Sequence, residues 1–246
     1  MPEPTHQSFL VVDVENSESL TNVQSDAMRV TLNGIIDGAL PHPAALVARE
    51  DRGDGAMLIF GIPVLDVLDQ VVGAMLTGVR EHNSAAGPMN WLRIRIAVHE
   101  GYVGRDDNGW SSDALTLTFR MNAAEAAKYA LEHAPRANSV VVVSDVVFRG
   151  VVRHGYRDTV TPDEYDSATM HLKSDTHQIW VRVPGYPRPS LPKLDSAPTE
   201  SERGAIQGSG TTGSGPDAAT IHATNFIGGN AKIGTQVGRD NHYRRS

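Results

Sequence analysis

The chain has 246 residues, with 29 Asp and Glu against 22 Lys and Arg for a formal charge of −7, and no cysteine. That acidic balance argues against a non-specific nucleic-acid or membrane-surface binder, because both partners are polyanions and need a basic field. The missing thiols exclude disulfides, thiolate metal sites and cysteine nucleophiles, so any chemistry falls to carboxylates, hydroxyls, His, Arg or Lys.

Residues 7–14 carry the run Phe9-Leu10-Val11-Val12 between polar residues, the pattern of a buried central strand. Over 17–40, Leu20, Val23, Ala27 and Val30 recur at three- and four-residue spacing and predict a helix, with Asn16 or Ser17 as N-cap. Strands at 44–49 and 56–60 are joined by Glu50-Asp51-Arg52-Gly53-Asp54-Gly55, where Asp-Gly marks a hairpin. A second amphipathic helix follows at 64–81, then a long strand at 92–103, a helix at 113–131 and a β-branched strand at 139–144. A last helix at 145–152 precedes strands around 171–173 and 178–183.

The order β-α-β-β-α-β, then α-β, predicts an α+β fold with a ferredoxin-like split βαβ core and an αβ extension over residues 1–185. From 186 to 220, five prolines and a Gly/Ser-rich run describe a linker that cannot bury enough apolar area to offset its ordering entropy. Residues 221–246 regain apolar character and read as a separate tail. No charged leader precedes an apolar stretch, and the run 140–143 is far short of the roughly 18–20 residues that span a bilayer, so a cytoplasmic location is expected. The ten His show no HExxH-like spacing, which leaves no dedicated zinc site in view.

Asp13 ends the first strand and Asp54 lies in the hairpin between the second and third. In a split βαβ sheet the first and third strands pair centrally, so the two carboxylates can reach one edge of the sheet. Convergent carboxylates among other oxygens are what hard divalent cations such as Mg²⁺ or Mn²⁺ require, and two such ions on a triphosphate activate a hydroxyl and neutralise leaving pyrophosphate. Purely structural roles stand beside this: Asp13 could cap the first helix and Asp54 could serve the Asp-Gly turn. His99 is expected to satisfy backbone groups at its strand end.

Four blocks carry a resemblance. Phe9 to Val14, Gly53 to Phe60, Leu92 to Gly101 and Leu115 to Ala124 resemble, in order and separation, the blocks of the class III adenylate/guanylate cyclase catalytic domain, over about residues 5–185. The resemblance implies that Asp13 and Asp54 bind two divalent cations, with the Val14 carbonyl as a further ligand. It implies Arg120 as the arginine that stabilises the transition state and Lys173 as the lysine that holds the triphosphate. Asn16 and Ser17 fall in the turn that meets the substrate. The implied reaction converts a nucleoside triphosphate to a 3′,5′-cyclic nucleotide and pyrophosphate, in a homodimer whose protomers supply metals and arginine to each other. As bland alternatives, Arg120 could be a solvated helix charge and Lys173 a surface one.

The sequence departs from that pattern in places. Thr116 stands four residues before Arg120, where the family has an Asn that orients the ribose. Asn16-Ser17-Glu18 replaces a Gly-Phe-Ser/Thr turn. Glu50, four residues before Asp54, matches the guanylate cyclases, whose carboxylate accepts from guanine N1–H and N2–H₂, while Gly109-Trp110 offers no second base reader. Base identity stays open among GTP, ATP, CTP and UTP, with GTP ahead. These departures also admit a catalytically degenerate scaffold that binds nucleotide or a partner without turnover.

In the tail, Ile233-Gly234-Thr235-Gln236-Val237-Gly238-Arg239-Asp240-Asn241-His242-Tyr243 resembles the amyloid-forming RIP homotypic interaction motif, with Thr235 in place of an aliphatic residue. Ile233, Gln236, Val237, Gly238 and Asn241 carry the match. Stackable Gln and Asn among β-branched residues suit a steric zipper. The resemblance implies a partner protein with a matching motif, in bacterial signalling or defence; a disordered tail is the alternative.

Overall fold

The computed structural model describes residues 3–87, 90–107, 109–172 and 175–192. They form an eight-stranded sheet in the order β2-β3-β1-β4-β6-β8-β7, with β5 added to β4. The strands are β1 (Thr5–Val14), β2 (Leu46–Asp51), β3 (Gly55–Phe60), β4 (Ile94–Asp106), β5 (Gly109–Ser111), β6 (Ser139–Ser144), β7 (Tyr165–His171) and β8 (Thr176–Arg182). The first four strands pair antiparallel as the split βαβ order requires, β4 and β6 pair parallel, and β8 pairs antiparallel with both β6 and β7. The mixed α+β fold is the one expected.

Alternation along β1 sorts the core. Leu10, Val12 and Val14 face α1 (Asn22–Ala39), the helical stretch 64–85 and α6 (Asp145–Gly150), in a core with Leu58, Phe60, Ile96 and Val98. Phe9 and Val11 point to the opposite face with Met57 and Ile59, where Leu115 of α4 (Asp113–Asn122) covers them. α5 (Glu125–Glu132) packs on that same face against Ala97, Val140 and Val142. At Gly101 an added Cβ would lie 2.6 Å from the Ala114 Cβ, so only glycine lets α4 approach β4 this closely.

Three expectations are corrected. The first helix begins at Asn22 rather than 17: Ser17–Ser19 is a separate 3₁₀ turn, and Thr21 caps α1 in a reciprocal capping box with Gln24. The stretch 64–85 runs on from α2 (Val64–Asp66) through π-helical Val67–Val72 into α3 (Gly73–Ala85), and Asp66 and Asp69 on its widened turn both hold Arg157. The helix expected at 113–131 is two, α4 and α5, broken where Ala124 adopts extended geometry (φ −59°, ψ 141°). Ala123 and Ala124 favour helix locally, so the break is a tertiary override: it buries Asn122 and Ala124 together against the sheet. No helix among the described residues is long and apolar enough to cross a membrane.

Candidate functional site

The antiparallel pairing of β1 with β3 sets Asp13 opposite Gly55, so Asp54 sits one residue before the partner of Asp13. The Val14 N–H donates to the Asp54 carbonyl at 2.9 Å and fixes that juxtaposition through the backbone. Gly55 makes it possible, since a Cβ there would stand 2.2 Å from the Val12 carbonyl oxygen. The Asp54 carboxylate accepts from the Ser17 hydroxyl at 2.6 Å, tying the 3₁₀ turn to the hairpin. Asn16, which opens that turn, holds φ 58°. A left-handed residue followed by right-handed ones turns successive N–H groups to one side, a concavity that suits an anion.

The structural jobs allowed for the two aspartates are done by other residues. Thr21, not Asp13, caps the helix, and Asp51, not Asp54, accepts from Gly53 N–H in the turn. Asp13 instead meets Arg95, its cross-strand partner on β4, whose guanidinium donates to Oδ2 at 2.8 Å. The pair is mostly enclosed, with 24% of the Asp13 side chain and 14% of the Arg95 side chain exposed. Burial pushes the Asp13 carboxyl above its ordinary range; Arg95 and Asn122 oppose that, and the Asp54 charge adds to it. The two carboxylates therefore lie close enough to feel each other.

Asp13 Oδ1 is buried without a hydrogen bond of good geometry, as are Arg95 Nε and Asn122 Oδ1, although the Asn122 side chain stands near enough to the carboxylate to favour its charged form. Orphaned buried polar atoms are costly unless a ligand satisfies them. The unpartnered Asp13 oxygen and the nearby Asp54 carboxylate are hard oxygen donors of the kind Mg²⁺ or Mn²⁺ takes. Among the described residues no group of three or more acidic or His side chains could hold a metal. Magnesium sites with one or two carboxylates commonly take the remaining ligands from water and substrate phosphates.

Thr116 and Arg120 share the exposed face of α4, while Leu115, Thr118, Met121 and Asn122 form its buried face. The Thr116 hydroxyl donates back to the Ser112 carbonyl at 3.0 Å. Arg120 is not brought to Asp13 within this chain; it points outward. Glu50 is exposed on β2, with its carboxylate 3.9 Å from Arg52, whose guanidinium lies 4.9 Å from the centre of the Phe119 ring on α4. Lys173, and Ile233, Gln236, Val237, Gly238 and Asn241 of the tail, lie outside the described residues.

Arg95 and Asn122 were not singled out from the sequence. The signal for Arg95 was a charge on alternate positions of an otherwise apolar strand, Leu92-Arg93-Ile94-Arg95-Ile96. Such a charge in a sheet covered on both faces needs an internal counter-charge. Arg93 has one in Glu15, at 3.2 Å. His99 corrects an expectation: its Nδ1 meets the Ser144 hydroxyl at 2.7 Å, not a backbone group. Burial pulls its pKa down to about 4, so the imidazole is neutral at pH 7.

Solved structures share this fold over most of the chain. An adenylate/guanylate cyclase/hydrolase from Silicibacter pomeroyi superposes with a TM-score of 0.56 at 15% identity, over 75% of this chain and 100% of its own. The non-canonical dimeric guanylyl cyclase domain of the RhoGC fusion protein from the aquatic fungus Blastocladiella emersonii gives 0.50 at 14% identity, over 74% of this chain and 98% of that one. The catalytic core of a rhodopsin-guanylyl cyclase with converted specificity, in complex with ATPαS, gives 0.50 at 16%, over 74% and 97%. The chain thus has the fold of adenylate and guanylate cyclase catalytic domains. No protein-family model matches it, and no curated protein sequence matches it.

Proposed function

We propose that the folded part of this chain is a nucleotidyl cyclase that converts a nucleoside triphosphate to a 3′,5′-cyclic nucleotide and pyrophosphate as a homodimer. The observation that carries the reading is the side-by-side placement of Asp13, with its unpartnered Oδ1, and Asp54 in a cyclase fold. Two divalent cations held by Asp13, Asp54 and the Val14 carbonyl would activate the ribose 3′-hydroxyl and neutralise the pyrophosphate. In the reaction the 3′-oxygen bonds to the α-phosphorus, the bond to pyrophosphate breaks and the hydroxyl proton leaves to solvent. The protein's part is to position and to neutralise.

Asn16 and Ser17 would cradle the phosphates through the turn amides, with Lys173 a further phosphate contact. Glu50 would accept from the base, which favours guanine. Arg120 and Thr116, exposed on α4, would serve the active site of the other protomer, Arg120 stabilising charge on the transferred phosphoryl group. Residues 233–243 would assemble with a partner carrying a like motif in a bacterial signalling or defence setting. A peptide of residues 221–246 that forms no thioflavin-positive fibrils would remove that part.

The test is incubation of the full chain with Mn²⁺ and each of the four nucleoside triphosphates, with Asp54→Ala as control. Cyclic product from wild type and none from the variant supports the enzyme; no product from any substrate sinks it. One observation favours a second reading, a scaffold that binds nucleotide without turnover: the position beside Asp13 is already taken by a cation, Arg95. Calorimetry showing tight triphosphate binding without product would select it.

A further inference from the structure

Resting on that reading of the metal site, the chain's own cation beside Asp13 has a consequence for how the site is loaded. The Arg95–Asp13 pair is short and enclosed, yet under-satisfied: Oδ1 of the acid and Nε of the base are both buried without partners. A purely structural buried ion pair keeps its cost down by filling such positions with further hydrogen bonds. Arg93, two residues earlier, shares the buried, unpartnered Nε, but its Nη2 donates to the Leu131 and Ala134 carbonyls while the guanidinium also meets Glu15, whereas the side-chain partner of Arg95 is Asp13. Arg95 moreover lines a polar cavity of about 390 Å³ whose other walls are Glu15, Asn16, Glu18, Lys128 and Glu132. A guanidinium that leaves Asp13 therefore has somewhere acidic to go.

We propose that Arg95 is a displaceable counter-ion: it holds Oδ2 of Asp13 in the metal-free protein, and a divalent ion that binds the carboxylate through the open Oδ1 competes with it for the same charge and displaces it into the cavity walled by Glu15, Glu18, Lys128 and Glu132. Metal affinity is then reduced by the free energy of breaking the ion pair, as for any ligand whose binding-competent state is a minor one. Arg95 is a positioning residue here, acting on the metal through Asp13.

The experiment measures Mn²⁺ binding to the full-length protein by electron paramagnetic resonance at pH 8, without nucleotide, for wild type, Arg95→Met, Arg95→Lys and Asp13→Asn. Circular dichroism confirms that each is folded. Arg95→Met keeps bulk and removes charge, so it is expected to bind Mn²⁺ about tenfold more tightly than wild type. Arg95→Lys keeps the charge and is expected to stay within about threefold of wild type, which a general packing role would not produce. If wild type binds and Asp13→Asn does not, yet Arg95→Met binds no more tightly, the counter-ion proposal is overturned while the metal site stands. If Asp13→Asn binds as wild type does, the metal site itself is wrong. Should Arg95→Met fail to fold, Arg95→Gln provides the same comparison.

Discussion

Strand β4 carries two buried polar contacts on one face, four residues apart, and they are built differently. At one end Arg95 meets Asp13; at the other His99, opposite Phe9 on β1, meets Ser144. The His99 pair is neutral and its parts are used: Ser144 also caps α6 through the Val147 N–H at 3.3 Å, so one hydroxyl joins β4, β6 and a helix terminus. The Asp13 pair is charged and leaves buried atoms without partners on both sides. The first arrangement has its hydrogen bonds filled, whereas the second leaves a carboxylate oxygen open at a cost, which is what the proposed metal site would use.

The sharpest way to break this contrast is to remove a carboxylate. If the proposed cyclase reading holds, Asp54→Ala is expected to lower cyclic-nucleotide formation by about 10³-fold or more, since it would delete a cation ligand and the charge stabilisation it brings. Folding should survive, because Gly55 and the Val14 to Asp54 backbone bond remain. A variant that keeps more than a tenth of wild-type activity would make Asp54 a bystander.

Acid should act on the two ends with opposite sign. His99 takes a proton near 6.5 when unfolded but only near 4 when folded. Between those values the unfolded chain binds more protons, so stability is lost as pH falls from about 7 to 4, by roughly 3 kcal/mol. Asp13 has its carboxyl raised above 3.8, so the folded state protonates first and acid adds stability there. Urea midpoints across this pH range, for wild type and His99→Asn, isolate the first effect: the variant should flatten the loss. An unchanged profile would mean that His99 is not the group responsible.

Ser144→Ala tests the other side of the comparison with a smaller effect. It strands His99 Nδ1 and uncaps α6, for an expected loss of about 2 kcal/mol in urea stability. Activity per folded molecule should not change.

What was legible in the sequence divides along the same line. The pairing of β1 with β3, and with it the approach of Asp54 to Asp13, follows from strand order alone, because a split βαβ unit sets β1 between its third and fourth strands. The turn at Ser17–Ser19 and the break at Ala124 were not legible, since local spacing and alanine content both favour continuous helix. Arg95 reaches Asp13 across 82 residues of sequence through a cross-strand register that no local pattern encodes. Asn122 joins them only because α4 stops where it does.

The smallest expected effect separates surface from site on α4. Thr116 is exposed and its hydroxyl bonds only to the Ser112 carbonyl four residues back, a contact that adds little to a helix. Thr116→Ala should therefore leave urea stability within about 0.5 kcal/mol of wild type. If this face of α4 completes the other protomer's site, the same change removes one hydrogen bond to substrate, and turnover should fall about fivefold, as for a contact worth roughly 1 kcal/mol. Arg120→Ala, mixed with Asp54→Ala, should then recover activity that neither variant has alone, because one dimer interface in the mixed pair holds both intact halves. Equal turnover for Thr116→Ala and wild type, together with no recovery on mixing, would confine the chemistry to the Asp13 side of a single chain.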